Sequence, residues 1–193
     1  MAYATKQYQA VLRCLEQRSG QALTAADLSE DLRHAGNPVG LATIYRQLEK
    51  LEAENITIRR PIGPENYAVI RWINENFGPD WAGEAENAFF LSPKGVFIAI
   101  RKVPDKKSEI LGFACYDATV KGFFGPTGVA EAERGKGIGA ALLLSTLHGM
   151  KDHGYGYGVI GGAGPVDFYK KCCGAIPIEG SSPGVYRHMV TIE

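Results

Sequence analysis

The chain has 193 residues, of which 45% are hydrophobic, and its 21 lysines and arginines balance its 21 aspartates and glutamates. Such a sequence is apolar enough to bury a core and too weakly charged to remain disordered. Its length permits one ordinary domain, or one domain with a small appendage. A net charge of zero without basic clusters argues against non-specific nucleic-acid binding, because that affinity comes mostly from lysines and arginines that neutralise phosphates.

The cysteine pattern and the lack of long apolar runs predict a cytoplasmic protein. Four cysteines are present: Cys14, Cys115, Cys172 and Cys173. Their spacing matches no metal site, and none of the four histidines has companions at ligand spacing. Charges interrupt the first apolar stretch, unlike a secretory signal, and no window reaches the roughly 18 apolar residues of a membrane span. We therefore expect reduced thiols, no bound metal and no membrane partner.

Glycine placement divides the chain into two parts. Only three of the 24 glycines lie before residue 55. In residues 1–54, apolar side chains recur at helical spacing in three stretches separated by turn signals, which is the outline of a helix-turn-helix unit. We expect residues 1–54 to form a small three-helix segment and residues 55–193 to form the main domain.

From residue 55 onward, short β-forming runs alternate with helical patterns and glycine turns. The predicted strands are residues 56–60, 96–100, 110–120, 123–129, 157–160 and 176–192. The predicted helices are residues 64–77, a long helix from the glycine turn to about residue 153, and residues 167–172. Strands and helices mixed within one domain place it in the α+β class.

The segment with the clearest chemistry is a glycine-rich turn between a predicted strand and a predicted helix. Gly135, Gly137 and Gly139 stand at alternate positions there, so the backbone can adopt unusual torsions and approach a ligand closely. The helix that follows presents unpaired N–H groups and the positive end of its dipole, which favour a pyrophosphate. The spacing matches neither the Walker motif nor G-x-G-x-x-G. A tight turn without a ligand is the alternative.

Two motifs of this region resemble the GNAT superfamily of N-acetyltransferases. Arg134-Gly-Lys-Gly-Ile-Gly139 is similar to the [QR]-x-x-G-x-[GA] signature of that family, and it lies between a strand and a helix as it does there. Phe168-Tyr-Lys-Lys-Cys-Cys-Gly-Ala175 is similar to the F-Y-x-x-x-G-F region, with Ala175 replacing the usual aromatic residue. The resemblance covers about residues 56–193 and implies a mixed central sheet flanked by helices.

This resemblance implies transfer of an acetyl group from acetyl-CoA to a primary amine of a small molecule or peptide, by direct attack in a ternary complex. In that family, amides of the glycine turn hold the pyrophosphate of acetyl-CoA, and the preceding strand aligns the pantetheine arm. By resemblance, the cofactor-binding residues are Gly128, Val129, Ala130, Arg134, Gly135, Lys136, Gly137, Ile138, Gly139 and Ala140.

The candidate catalytic residues are one tyrosine and one aspartate. By resemblance, Tyr169 is the general acid near the CoA sulfur, and a phenol that stays protonated at neutral pH can donate to a thiolate. The alternative is a tyrosine that only packs beside Phe168. Asp117, near the end of a predicted strand, is a candidate general base, with a turn-forming role as the alternative.

The candidate acceptor-binding residues lie in two places. In the GNAT family the first helices wall the acceptor site, so by resemblance residues 76–86, which contain Trp81 and Glu84, form a candidate lid. Its acidic content suits a cationic amine. A solvated loop with one anchoring tryptophan is the alternative. Phe123 and Phe124, on the strand that precedes the glycine turn, are candidates to shape the acceptor pocket, and packing of at least one of the two rings in the core is the alternative.

Residues 5–54 resemble a second family. Thr24-Ala-Ala-Asp-Leu and Gly40-Leu-Ala-Thr-Ile-Tyr-Arg46 are similar to the winged-helix DNA-binding half of the ferric uptake regulator family. By resemblance, Thr43, Tyr45 and Arg46 face DNA.

Three observations bear on DNA binding by this segment. The wing of that family would follow residue 54, but residues 56–60 fit the first strand of an acetyltransferase. The metal-binding and dimerisation half has no counterpart, and residues 1–54 carry six basic and seven acidic side chains. We expect an acetyltransferase with a helical cap; the alternatives are an acetyl-CoA-responsive DNA-binding transcriptional regulator and an acetyl-CoA-binding domain without turnover. The acceptor amine and formation of a homodimer are left open.

Overall fold

The structure is a computed structural model, and it describes residues 55–105 and 107–190. The three helices expected in residues 1–54 lie outside the described residues, and so do Thr43, Tyr45 and Arg46. Their arrangement and the domain boundary after residue 54 stay predictions.

Five strands form one mixed sheet in the described part of the chain, in the order β1-β2-β3-β4-β5. They are β1 (Ile56–Arg59), β2 (Val96–Arg101), β3 (Glu109–Tyr116), β4 (Phe123–Val129) and β5 (Val159–Ile160). Neighbours from β1 to β4 are antiparallel, whereas β5 is parallel to β4 and is reached through a helical crossover. The predicted α+β class with a mixed central sheet is confirmed.

Four α-helices accompany the sheet within the described ranges: α1 (Asn66–Phe77), α2 (Pro79–Phe89), α3 (Ile138–Asp152) and α4 (Val166–Cys173). Short 3-10 turns lie at Gly63–Glu65, Glu131–Glu133 and Gly184–Tyr186. Between α1 and α2, Gly78 has a φ of 93° and Pro79 begins the next helix. The left-handed φ of Gly78 ends α1, and Pro79, which has no N–H donor, is well suited to begin α2.

Residues 76–86, predicted as a lid or a solvated loop, are largely helical, because α1 ends at Phe77 and α2 follows immediately. The buried face of α2 includes Ala82, Ala85 and Ala88. Alanines at this spacing let the helix approach the sheet closely, but they produce a weak apolar pattern.

The prediction of closing strands over residues 176–192 is wrong for the described part of that segment. After α4, the described residues contain one 3-10 turn and no strand. Pro177 and Pro183 have no N–H donor for a sheet ladder, and Gly180 has left-handed backbone. The apolar side chains here consequently remain outside the sheet, and Ile176 is 84% exposed.

Two other predicted strands are shorter than expected. β3 ends at Tyr116 rather than at residue 120, because Asp117 has a left-handed φ of 55° that interrupts an extended chain. β5 comprises Val159–Ile160 rather than residues 157–160.

The sheet carries a packed layer on each face. On one face, α1 and α2 contribute Ile73 and Phe89 to a buried cluster that also contains Phe113 of β3. On the other face, α3 lies so close to β3 that a Cβ atom at Gly112 would be 3.0 Å from Leu142 Cδ1. Successive side chains of a strand point to opposite faces, which assigns these neighbouring residues of β3 to different layers.

Gly95 and Gly83 provide a matched test of this packing. A Cβ at Gly95 would lie 2.5 Å from the Tyr116 carbonyl oxygen, whereas nothing lies within 4 Å of a Cβ at Gly83 in α2. We expect Gly95→Ala to lower the free energy of unfolding by about 2 kcal/mol, because backbone must shift. Gly83→Ala should raise it by roughly 0.5–1 kcal/mol, because alanine favours helix. Urea unfolding followed by circular dichroism measures both. Unchanged stability of Gly95→Ala would contradict the close approach.

Candidate active site

A one-residue bulge interrupts β4 near its middle. Ala114 and Tyr116 are two residues apart on β3, but their partners on β4, Thr127 and Phe124, are three residues apart. The extra residue lies at Gly125–Pro126, where Gly125 has a φ of 122°. Because strand side chains alternate, a bulge changes which residues face each side of the sheet.

The bulge coincides with the point at which β4 and β5 separate. The two strands pair at Phe123 with Val159 and at Phe124 with Ile160, and no later residue of either strand continues the pairing in the described chain. We call the gap beyond Phe124 and Ile160 the β4–β5 fork. In the described chain, the edge of β4 that faces the fork has no strand partner, so backbone groups there can bond an extended ligand; the Val129 carbonyl accepts a hydrogen bond from Arg134 Nε.

Beyond β4, the chain passes through the predicted glycine turn into α3. Gly135 and Gly137 have φ angles of 79° and 92°, in the left-handed region that disfavours side chains. Gly137 is the N-cap of α3, and its carbonyl accepts a hydrogen bond from the Ala141 N–H at 3.1 Å. The strand, the turn and the start of the helix occur where the sequence predicts them.

The turn presents a run of backbone donors. No carbonyl among the described residues accepts a bond from the N–H groups of residues 135–140. The N–H groups of the first turn of a helix have no intrahelical acceptor, and the α3 dipole adds positive potential at this end. Nothing lies within 4 Å of a Cβ built at Gly135, so the backbone is accessible. These residues fit a pyrophosphate group.

Two basic side chains near the turn, those of Arg101 and Lys136, form hydrogen bonds with one carboxylate. Glu133 Oε2 accepts hydrogen bonds from the Arg101 guanidinium at 2.6 Å and from Lys136 Nζ at 3.0 Å. The hydrogen bond from Arg101, and secondarily that from Lys136, lowers the pKa of Glu133. Arg134 lies at the start of the turn, where its Nε donates to the Val129 carbonyl at 3.3 Å. Glu133 thus ties the turn to the end of β2.

Tyr169 lies on α4, next to both β4 and α3. Its ring makes an edge contact with Phe124, with ring centroids 6.1 Å apart, and another with Phe168. A Cβ at Gly139 would lie 3.7 Å from the Phe168 ring, which places the start of α4 against the start of α3. Burial raises the pKa of Tyr169, so the phenol stays protonated at neutral pH. Its hydroxyl has no partner in the described part of the chain.

Phe124 is 1% exposed and packs as a core residue on the face of the sheet that α3 covers. It lies opposite Tyr116, whose hydroxyl pairs with Nδ1 of His153 just after α3 at 2.6 Å. Phe124 therefore supports the Tyr169 ring from the sheet. Its predicted contact with the acceptor stays a prediction.

The Asp117 carboxylate forms a hydrogen bond across the turn between β3 and β4. Its Oδ1 accepts the Gly122 N–H at 2.6 Å, and its Oδ2 accepts the Tyr155 hydroxyl at 2.8 Å. Burial, and then the bond to Asp117, raises the pKa of Tyr155 to about 12. Both carboxylate oxygens thus accept a hydrogen bond, one from within the turn and one from Tyr155. The role of general base stays a prediction.

Trp81 and Glu84 lie on α2, on the face of the sheet opposite Phe124. Trp81 stacks on Phe77 at 5.2 Å between ring centroids. A Cβ at Gly128 would lie 2.5 Å from that Phe77 ring, so only glycine fits there. Glu84 Oε1 accepts the Thr119 hydroxyl at 2.7 Å. Trp81 therefore contacts Phe77, and Phe77 in turn contacts β4, the strand predicted to align the pantetheine arm.

Three features of the site were not predicted: the bulge, the ring of Phe77 against Gly128, and the carboxylate of Glu133. The Gly125-Pro126 pair inside a predicted strand is a signal that could have identified the bulge. Phe77 follows the helical pattern of α1 and carries no separate signal. Glu133 pairs with an arginine 32 residues away, which no local pattern reveals.

Metal-ligating clusters and membrane-spanning helices are both absent from the described residues. Within residues 55–105 and 107–190, no group of three or more histidines, cysteines, aspartates or glutamates could hold a metal ion. No helix in the described residues is long and apolar enough to cross a membrane. Cys115, Cys172 and Cys173 are free thiols. The expected cytoplasmic location stays a prediction.

Comparisons with known proteins gave three findings. The model of the ferric uptake regulator family matches residues 2–67, and the model of the acetyltransferase (GNAT) family matches residues 66–175. A solved structure is similar, with a TM-score of 0.50 and 16% sequence identity. It is described as a GCN5-related glucosamine N-acetyltransferase region in a fungal multi-domain GH3 β-N-acetylglucosaminidase. The similarity covers 66% of this chain and 17% of that protein, and no curated protein sequence matches.

These matches confirm both resemblances seen in the sequence. At 16% identity, the solved structure supports the fold alone. The GNAT model covers more than half of the chain, and it includes β4, the glycine turn, α3 and α4. The chain therefore belongs to the acetyltransferase (GNAT) family.

Proposed function

We propose that this protein is an N-acetyltransferase that moves an acetyl group from acetyl-CoA to a primary amine of a small molecule or peptide. The observation that carries the proposal is the run of unpartnered amides at residues 135–140, next to the open edge of β4. Backbone donors at a helix start suit a pyrophosphate, and an unpaired strand edge suits the amide-containing arm attached to it. Family membership supports the same reaction class.

Each part of the site has a proposed binding role. Amides of residues 135–140 hold the pyrophosphate, with Arg134 and Lys136 adding positive charge. Backbone groups of Gly128, Val129 and Ala130 align the pantetheine arm along the fork. Acetyl-CoA supplies an acetyl group already activated as a thioester. Holding both substrates together supplies much of the rate, because the reacting atoms no longer need to meet by diffusion.

Tyr169 is the proposed general acid. As the amine nitrogen forms its bond to the acetyl carbon, the C–S bond breaks, and Tyr169 Oη donates its proton to the sulfur. A buried phenol with no hydrogen-bond partner in the described residues and a raised pKa keeps that proton at neutral pH. Asp117 is the candidate to accept the proton lost by the amine, which requires exchange of one of its two hydrogen bonds.

The acceptor is proposed to bind on the face of the sheet that carries α2. Trp81 is 36% exposed and offers an aromatic surface, and Asp80, Glu84 and Glu86 make this helix acidic. An aromatic face and nearby carboxylates favour a cationic amine.

Gly135 and Gly154 allow a matched test of cofactor binding. Both have left-handed φ angles, 79° and 91°, and neither has an atom within 4 Å of a Cβ position. Gly135 lies in the glycine turn, and Gly154 follows the other end of α3. We expect Gly135→Ala to weaken acetyl-CoA binding about tenfold or more, since the strained turn realigns its amides. Gly154→Ala should change the Kd less than twofold. Calorimetry that detects no acetyl-CoA binding to the unmodified protein would contradict the proposal.

Tyr169 and Tyr157 allow a matched test of proton donation. Tyr157 is 82% exposed and serves as the control. We expect Tyr169→Phe to lower kcat by about 100-fold, a typical contribution of general acid catalysis, and to change the Kd for acetyl-CoA less than threefold. Tyr157→Phe should leave both unchanged. The assay is free-thiol release with polyamines, amino acids, aminoglycosides, glucosamine and peptide N-termini. Binding of acetyl-CoA without thiol release from any amine would indicate a domain without turnover.

A second candidate function is an acetyl-CoA-responsive DNA-binding regulator, which the match of residues 2–67 to the ferric uptake regulator family favours. Strand β1 argues against a separate wing in this chain, because Ile56–Arg59 pairs with β2 of the acetyltransferase sheet. A gel shift with genomic DNA fragments at moderate salt, with and without acetyl-CoA, separates the two candidates. We expect weak, unselective binding, and saturable sequence-selective binding would favour the regulator.

A further inference from the structure

Tyr186 lies beside the β4–β5 fork, although no sequence motif includes it. A Cβ built at Gly161, directly after β5, would be 3.0 Å from the Tyr186 hydroxyl oxygen and 2.9 Å from the Phe123 ring. A Cβ at Gly162 would be 3.5 Å from the ring of the same tyrosine. The chain after α4 thus returns to cover the residues that follow β5.

Tyr186 and Tyr169 are on opposite faces of the sheet. Tyr169 contacts Phe124, which faces α3, so the neighbouring Phe123 points to the face of α1 and α2. Because a Cβ at Gly161 would meet both Phe123 and Tyr186, these two rings lie on that same face. The proposed general acid therefore approaches the fork from one face, and Tyr186 approaches it from the other.

The hydroxyl of Tyr186 is available to a ligand. The residue is half-buried, and no group in residues 55–105 or 107–190 forms a hydrogen bond with this hydroxyl. The glycine beside it lets this hydroxyl and the Phe123 ring lie directly against the main chain. A phenol can both donate and accept a hydrogen bond, and the adjacent Phe123 provides an apolar surface.

We propose that Tyr186 positions the acceptor amine, through a hydrogen bond from its hydroxyl group to a polar group next to the reacting nitrogen, with the acceptor packed against Phe123 and Gly161. This inference rests on the proposed function and narrows the acceptor class. The preferred acceptors are amines that carry a hydroxyl or carbonyl group close to the amine, together with an apolar portion. Simple alkylamines lack the partner for Tyr186 and bind more weakly.

The Tyr186→Phe variant tests the hydrogen bond and keeps the ring. The probes are the most active amine of the thiol-release panel and its analogue without the nearest hydroxyl or carbonyl group. We expect the KM for the first amine to rise about tenfold in Tyr186→Phe, the usual scale for one hydrogen bond, with the KM for the analogue nearly unchanged. The kcat and the Kd for acetyl-CoA should change less than twofold. An equal effect on both amines would overturn the proposal.

Gly161 and Gly164 provide a second test that does not remove the hydroxyl. Neither has a left-handed φ, and a Cβ at Gly164 meets nothing within 4 Å. We expect Gly161→Ala to raise the acceptor KM at least fivefold, because its methyl group would collide with the Phe123 ring and the Tyr186 hydroxyl and displace both from the acceptor. The Gly164→Ala variant should match the unmodified protein. An unchanged acceptor KM in Gly161→Ala would contradict an acceptor site at this position.

A binding measurement separates this inference from the proposed function. The same two amines are titrated calorimetrically into protein saturated with CoA. CoA is used because it cannot donate an acetyl group. If no amine of the panel is acetylated, all amines of the panel are titrated instead. Weaker binding to Tyr186→Phe than to the unmodified protein supports the positioning role even without turnover. Equal amine affinities, or no amine binding, would overturn it. Thiol release from acetyl-CoA tests the transferase reaction independently.

Discussion

The extra residue at Gly125–Pro126 is the constraint on which the candidate site depends. It shifts the alternation of β4 by one position, so that Phe124 faces α3 while Gly128 faces α1 and α2. It also marks the place where β4 and β5 stop pairing, and a sheet edge becomes available inside the fold. Unpaired backbone groups inside a protein need partners, and a ligand with amide groups can provide them. A continuous, fully paired β4 would leave no such edge.

Around this opening, the surfaces consist of backbone and aromatic rings. Phe77 lies against Gly128, Phe123 and Tyr186 flank Gly161, and Phe168 approaches Gly139. At Gly128 and Gly161 the contact needs a residue without a Cβ atom, so that a ring on another element can reach the main chain. At the glycine turn, Glu133 links Lys136 to Arg101. The site thus combines a turn rich in backbone donors with an aromatic end, which supports the proposed binding of a ligand that has a phosphate group and an uncharged arm.

The parts of the fold that sequence analysis predicted well depend on local patterns. The glycine turn, the strand before it and the helix after it occur in the predicted places, because positive φ angles and helix starts follow from a few adjacent residues. The predictions failed where the pattern was weak or misleading. The alanine-rich face of α2 did not indicate a buried helix, and apolar alternation after residue 176 suggested strands that Pro177, Pro183 and Gly180 prevent.

The amino-acid sequence by itself determined the family and the glycine turn between β4 and α3, since each depends on a short motif with its own backbone or chemical requirement. Only the tertiary structure decided which side chains meet across the sheet. It paired one oxygen of Asp117 within the β3–β4 turn and the other with the distant Tyr155, and it placed Tyr169 and Tyr186 on opposite faces of the fork. Those contacts depend on the strand register and on one bulge, because these two features set the direction of every later side chain on β4. Neither feature can be predicted from a single residue.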